Sequence, residues 1–167
     1  MNEIDALILG IIQGLTEFLP VSSSGHLEIV RNILNANQLP SENLLMTSIL
    51  HFATAISTLI VFRSDIINLF KGLLIKEDVD SKNYLLKIII AIIPAGLVGF
   101  LFNDKIEYFF SGNLRLVGMM LIITGFLLFL TKIIKTGDNK ITKTNSLIIG
   151  ISQAFAIMPG ISRSGAT

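Results

Sequence analysis

Two short polar stretches interrupt an otherwise apolar chain. The first reads QGLTEFLPVSSSGH, from Gln13 to His26, and the second reads QAFAIMPGISRSG, from Gln153 to Gly165. Between them they carry an acid, Glu17, hydroxyls at Ser22, Ser23, Ser24, Ser162 and Ser164, a histidine, His26, and a guanidinium, Arg163. This set suits the handling of a phosphate group. A planar guanidinium matches phosphate oxygens in pairs. A serine at the start of a helix caps it, and the N–H groups behind the cap form the positive end of the helix dipole, where anions bind. The Ser/Gly runs Ser22–Gly25 and Ser162–Gly165 are therefore candidate phosphate-binding segments. Glu17 can hold a divalent cation or act as a base. His26, three residues after Ser23, shares a helical face with it and can orient or deprotonate a serine, or protonate a leaving group. Gln13 lies one helical turn before Glu17. His51 reads as a packing hydrogen bonder, and Lys71–Lys87 as a solvated loop. A Walker A pattern is absent, so a nucleotide P-loop is not indicated.

The elements that must position these groups are membrane elements. Of the 167 residues 51% are hydrophobic and 15% charged, with no cysteine; mean hydropathy is +0.72. Soluble domains carry about 25% charged residues, and a net charge of +1 is not that of a nucleic-acid binder. The acidic start, MNEIDALILG, has the wrong flank for a cleaved signal peptide. A spanning helix needs about 20 apolar residues. Leu44–Phe62, Ile88–Phe102 and Leu116–Thr131 approach this, so residues 44–131 are expected to hold three transmembrane helices. Pro94 and Gly96 should bend the second, and the spacing of Gly96 and Gly99 leaves room for a close neighbour. Ile4–Leu19 and Leu147–Ile161 are shorter and run into Pro, Gly and Ser. Broken backbone at membrane depth is tolerated inside protein or beside a water-filled cavity. Residues 1–36 and 146–167 thus read as one re-entrant hairpin and the start of another, within a single all-α integral membrane domain. Counting Lys and Arg before the first span, in the two loops between spans and in the loop from the third span to the second hairpin gives one, five, two and four. This alternation puts the first and third loops in the cytoplasm and the N-terminus outside.

The two polar stretches also repeat one another. Gln13 aligns with Gln153, Ser22 with Ser162, Ser23 with Arg163, Ser24 with Ser164 and Gly25 with Gly165, each pair separated by 140 positions. With opposite orientations in the membrane this is an inverted repeat, an arrangement that brings broken helices together at the midplane. The residues by themselves support phosphate binding beside acid–base groups and leave hydrolysis and lipid-phosphate transport both open.

Both motifs resemble those of the undecaprenyl-diphosphate phosphatase family, the bacitracin-resistance phosphatases: Gln13–His26 resembles the first family motif and Pro159–Thr167 the second. The resemblance implies an integral membrane enzyme that hydrolyses a C55 isoprenyl diphosphate to the monophosphate and so recycles a lipid carrier for cell-wall polymers. It implies a site facing outward from the cytoplasmic membrane and a divalent cation, Mg²⁺ or Ca²⁺. The family's acidic pair falls on Gln13 and Glu17, a metal-binding pair with one carboxylate fewer here. Its serine, histidine and arginine fall on Ser23, His26 and Arg163. Ser22, Ser24, Gly25, Ser162, Ser164, Gly165 and Thr167 are the expected phosphate-contacting positions. The partners expected are the lipid substrate, the membrane and a second copy of the chain, with no nucleic acid. Family members continue past the second motif, whereas this sequence stops at Thr167; on the resemblance it is expected to be truncated, with little activity alone.

Overall fold

A computed structural model describes residues 2–36, 39–75, 79–109, 113–133 and 141–167. Among them there are nine helices and no strand. These are α1 (Glu3–Thr16), α2 (Ser23–Ile33), α3 (Pro40–Val61), α4 (Arg63–Leu74), α5 (Val79–Leu101), α6 (Asn103–Phe109), α7 (Leu114–Ile133), α8 (Lys143–Phe155) and α9 (Arg163–Ala166). The stops between them are local. Asn2 caps α1 in a capping box with Asp5, and Thr142 caps α8 by accepting from the Asn145 N–H. Proline stands at the start of α3, where its missing N–H costs nothing.

Three helices are long and apolar enough to cross a membrane, with cores Ser41–Val61, Val79–Leu101 and Leu114–Ile133. They contain the three expected spans, apart from Phe62 and Phe102, which fall just past their ends, and start earlier. The expected solvated loop is corrected in part. Residues 71–74 close an amphipathic α-helix, α4, and Lys82 and Lys87 lie within α5. Residues 76–78 lie outside the described part. α4 carries Ile66, Ile67, Leu69 and Phe70 among Arg63, Asp65 and Lys71, the pattern of a helix with one apolar face.

The burial pattern is inverted relative to a water-soluble bundle. Phe52, Phe100, Ile122 and Phe126 face outward, while Gln13, Glu28, Arg31, Asn43, Thr47, Thr124 and Ser146 are buried. Apolar side chains gain nothing by leaving lipid, so polar groups and small residues hold such helices together. Arg31, expected before the first span as a loop charge, is one of these. It lies on α2, 1% exposed, and donates from Nη1 to Glu28 Oε1 at 2.6 Å and from Nη2 to Thr47 Oγ1 at 2.6 Å, tying α2 to α3. The close approach expected at Gly96 and Gly99 occurs elsewhere, since neither has a neighbour within 4 Å of an added Cβ. It is Gly150 of α8 that admits α5, its would-be Cβ standing 2.6 Å from Ala91 O and 2.9 Å from Pro94 Cδ. α1 packs on α2, and both α2 and α9 pack on α7. The two interrupted helices, α1–α2 and α8–α9, therefore meet over one spanning helix.

Candidate active site

Each interruption is a helix end followed by a serine cap. At the first, α1 closes on Glu17, whose N–H bonds to Gln13 O at 2.9 Å. Ser22 then takes φ 66°, unusual for a residue with a side chain. From there its Oγ accepts the Gly25 N–H at 3.4 Å and opens α2. At the second, Ser162 Oγ accepts the Gly165 N–H at 3.1 Å and opens α9. The following serines match as well: Ser22 and Ser24 hydroxyls are 3.4 Å apart, Ser162 and Ser164 hydroxyls 3.3 Å. The repeat read at a spacing of 140 residues is thus a repeat of the capping hydrogen bonds, though Ser162 takes an extended φ of −79° where Ser22 takes 66°. The two breaks are also joined directly, because the Gly160 N–H donates to Ser22 Oγ at 3.1 Å.

Between them lies a cavity of about 220 Å³ lined by Glu17, Ser22, Ser23, Ser24, Ser162, Arg163 and Ser164, with Leu19, Ala156 and Ile161 as its apolar wall. The first-turn N–H groups of a helix have no intrahelical acceptor, and α2 begins at this wall. One cation, one carboxylate and five hydroxyls thus surround a single space, a composition suited to a phosphate that must be both bound and attacked.

The carboxylate is the most heavily engaged group. Glu17 Oε2 accepts from Ser23 Oγ at 2.6 Å and from Gln13 Nε2 at 3.0 Å. His51 Nδ1, from α3, lies 3.2 Å from the same oxygen and 2.9 Å from Gln13 Nε2. That ring nitrogen can accept from the amide or donate to the carboxylate, not both at once. His51 also lines a second cavity of about 260 Å³, which shares Ser24 and Arg163 with the first. Gln13 is 1% exposed, and its Oε1 has no hydrogen-bond partner.

Most of the residues expected at the site are brought together here, though with different partners. The hydroxyl of Ser23 is bonded to Glu17. His26 bonds back to its own helix start, Nδ1 lying 2.8 Å from Ser22 O. A carbonyl only accepts, so this bond requires the proton on Nδ1. His26 is not among the residues lining the cavity. Gly25 and Gly165 use their N–H groups in capping, and Thr167 bonds to Arg163 O at 3.0 Å. His51, expected as a packing hydrogen bonder, does make hydrogen bonds, and its partners are the site residues Gln13 and Glu17. A lone histidine in an apolar run carries no signal of which buried groups it meets, and only the packing of α3 on α1 supplies that. Thr124 of α7 likewise carries no sign in the sequence of the groups it meets, Gly160 and Ser162.

The family model described as bacitracin resistance protein BacA matches residues 6–167. An undecaprenyl-diphosphatase of Christiangramia forsetii is 54% identical over 167 residues, covering 100% of this chain and 63% of that protein. The undecaprenyl-diphosphatase of Bacteroides thetaiotaomicron is 44% identical over 168 residues, with 100% and 63% covered. That of Methanococcus maripaludis (strain C6) is 43% identical over 167 residues, with 98% and 64% covered. The chain spans just under two thirds of the length of these relatives. With both polar motifs inside the matched range, the chain belongs to the bacitracin resistance protein BacA family.

Proposed function

We propose that this chain supplies the catalytic groups for hydrolysis of undecaprenyl diphosphate to undecaprenyl phosphate and inorganic phosphate, an activity that recycles a cell-wall lipid carrier and confers bacitracin resistance. The observation that carries the proposal is the 2.6 Å bond from Ser23 Oγ to Glu17 Oε2 at the wall of a cavity that Arg163 also lines. A carrier of lipid phosphate has no use for a hydroxyl bonded to a base. The names of the relatives supply the substrate.

In the reaction, Ser23 Oγ attacks the terminal phosphorus while its proton passes to Glu17 Oε2. The bond from that phosphorus to the bridging oxygen breaks, and undecaprenyl phosphate leaves. Water then cleaves the phosphoserine, and Glu17 returns a proton. Arg163 stands where charge accumulates on the transferring group. Phosphoryl transfer depends mostly on such positioning and charge stabilisation. His26, bonded to Ser22 O, holds the start of α2 and with it Ser23.

A divalent cation fits this site as a guest of the substrate. Among the described residues no group of three or more His, Cys, Asp and Glu is gathered. The oxygens at hand are the Glu17 carboxylate and the unpartnered Gln13 Oε1. Hard oxygen donors suit Mg²⁺ and Ca²⁺. Glu17 and Gln13 would hold the ion together with diphosphate oxygens, and bound there it would neutralise phosphate charge. The two interrupted helices are proposed to enter the cytoplasmic membrane as re-entrant hairpins, with the cavity open to the outside. A homodimer is part of the same proposal.

The test is phosphate release from undecaprenyl diphosphate in detergent, with and without Mg²⁺ or Ca²⁺, using the Christiangramia forsetii relative as a positive control. Release that disappears in Ser23→Ala supports the proposal. Movement of the intact lipid between leaflets without release would replace it with transport.

A further inference from the structure

Thr124 lies inside α7, 3% exposed, and its hydroxyl is bonded twice to the second helix break. It accepts the Ser162 N–H at 3.0 Å and donates to Gly160 O at 2.7 Å. In a helix interior a threonine hydroxyl ordinarily turns back to a carbonyl of its own helix, as Thr47 and Thr58 do here. Thr124 instead faces across to a neighbouring segment. The two groups it holds flank Ile161, so one hydroxyl sets the direction in which the chain leaves Gly160 and enters the cap of α9.

The segment it holds has little freedom. Gly160 has φ +100°, and a Cβ there would stand 2.7 Å from Val117 O and 2.7 Å from Met120 Cβ, both on α7. The Gly160 N–H goes to Ser22 and its carbonyl to Thr124. The residue is gripped by hydroxyls from two different elements. Two residues on, Ser162 caps α9, and the next residue is Arg163. Buried backbone outside a helix must find partners, and in membrane proteins Ser and Thr from neighbouring helices provide them.

We propose that Thr124 is a positioning residue for the phosphate site: by holding the peptide groups on both sides of Ile161 it fixes where Arg163 enters the cavity. The proposal rests on the reading of Arg163 as the charge-stabilising group. Its test uses the unsubstituted protein, Thr124→Ser, Thr124→Val, Arg163→Ala and the Thr124→Val/Arg163→Ala double variant, with kcat and KM for phosphate release from undecaprenyl diphosphate. Valine keeps the shape and removes both hydrogen bonds, while serine keeps the hydroxyl. Thr124→Val is expected to lower kcat about tenfold or more and to change KM by less than about threefold, the split of a group acting on the transition state. Thr124→Ser is expected to retain activity. In the Arg163→Ala background Thr124→Val should add less than about twofold, since residues acting through one another are non-additive. A merely structural threonine would multiply its loss onto that of Arg163→Ala, and that result overturns the proposal, as does an unchanged Thr124→Val. If the unsubstituted protein binds undecaprenyl diphosphate without releasing phosphate, the phosphatase reading falls alone. The same five proteins are then ranked by dissociation constant, with the same non-additivity expected. Absence of both release and binding overturns both.

Discussion

Gly25 and Gly160 touch where the two helix breaks cross: a Cβ placed on Gly25 would lie 2.9 Å from Gly160 Cα and 3.1 Å from Gly160 N. The first is closer than real Cβ atoms approach, and both obstacles are backbone, which cannot rotate away as a side-chain tip would. The serine bond between the breaks, Gly160 N–H to Ser22 Oγ, spans the same crossing.

Gly25→Ala is therefore expected to push the breaks apart. Overpacking of this kind costs about 1–3 kcal/mol. Thermal unfolding in detergent should show a lowered Tm, and phosphate release should fall with it because Ser23 and Arg163 line one cavity from the two different breaks. Gly25→Val should be worse on both counts. An unchanged Tm in Gly25→Ala would show that the crossing yields without cost.

In the proposed reaction Ser23 and Glu17 are the nucleophile and its base. Loss of a general base typically lowers rate by about 10²–10⁴. Glu17→Gln should fall in that range, and Ser23→Ala should abolish release. With Ser23 as nucleophile, rapid quenching during turnover should yield a phosphoserine at position 23, detectable by mass spectrometry. Hydrolysis that survives in Ser23→Ala would transfer the nucleophile's role to water activated by Glu17.

The sequence showed the materials of this site and not their pairing. Periodicity and length located the three long helices, because a spanning helix announces itself by an uninterrupted apolar run. The proline and serine of each break marked the interruption but not the helix ends, since α1 stops at Thr16 and α8 at Phe155, each four residues before its proline; the spacing of 140 residues made the two caps comparable. Ser23 was matched with His26 because three residues on a helix share a face. The tertiary fold gave Ser23 to Glu17, and His26 turned to Ser22 O. That choice depends on how the chain between Glu17 and Ser22 turns, and no local propensity encodes it. His51 and Thr124 were illegible for a related reason. Each is one polar residue among several in a mostly apolar helix, and its partners are 34 to 38 residues away along the chain.

One carboxylate holds a divalent cation poorly by itself, and Gln13 contributes only a neutral oxygen. Binding of Ca²⁺ or Mg²⁺ measured by calorimetry should therefore be weak without lipid diphosphate and much tighter with it. Gln13→Glu adds a second carboxylate beside Glu17 and should raise cation affinity in the absence of substrate. Equal affinity with and without the diphosphate would mean that the ion site is built by protein groups other than these two. Full release in the presence of a chelator would remove the ion from the proposal altogether.

Arg163 separates charge from geometry. It lines both the cavity that holds Ser23 and the neighbouring one lined by His51, and in the proposed reaction its guanidinium binds the diphosphate. Removal of a single preorganised charge-stabilising donor costs about 10²–10³ in rate, and Arg163→Ala is expected to lose that much. Arg163→Lys restores the charge but not the planar fork that meets two phosphate oxygens at once. If the fork matters, lysine should recover binding of the lipid diphosphate, read as KM, while kcat stays well below that of the unsubstituted protein. If lysine restores kcat fully, charge alone suffices, and the close backbone hold on the residues before Arg163 would have to serve the fold instead of the reaction.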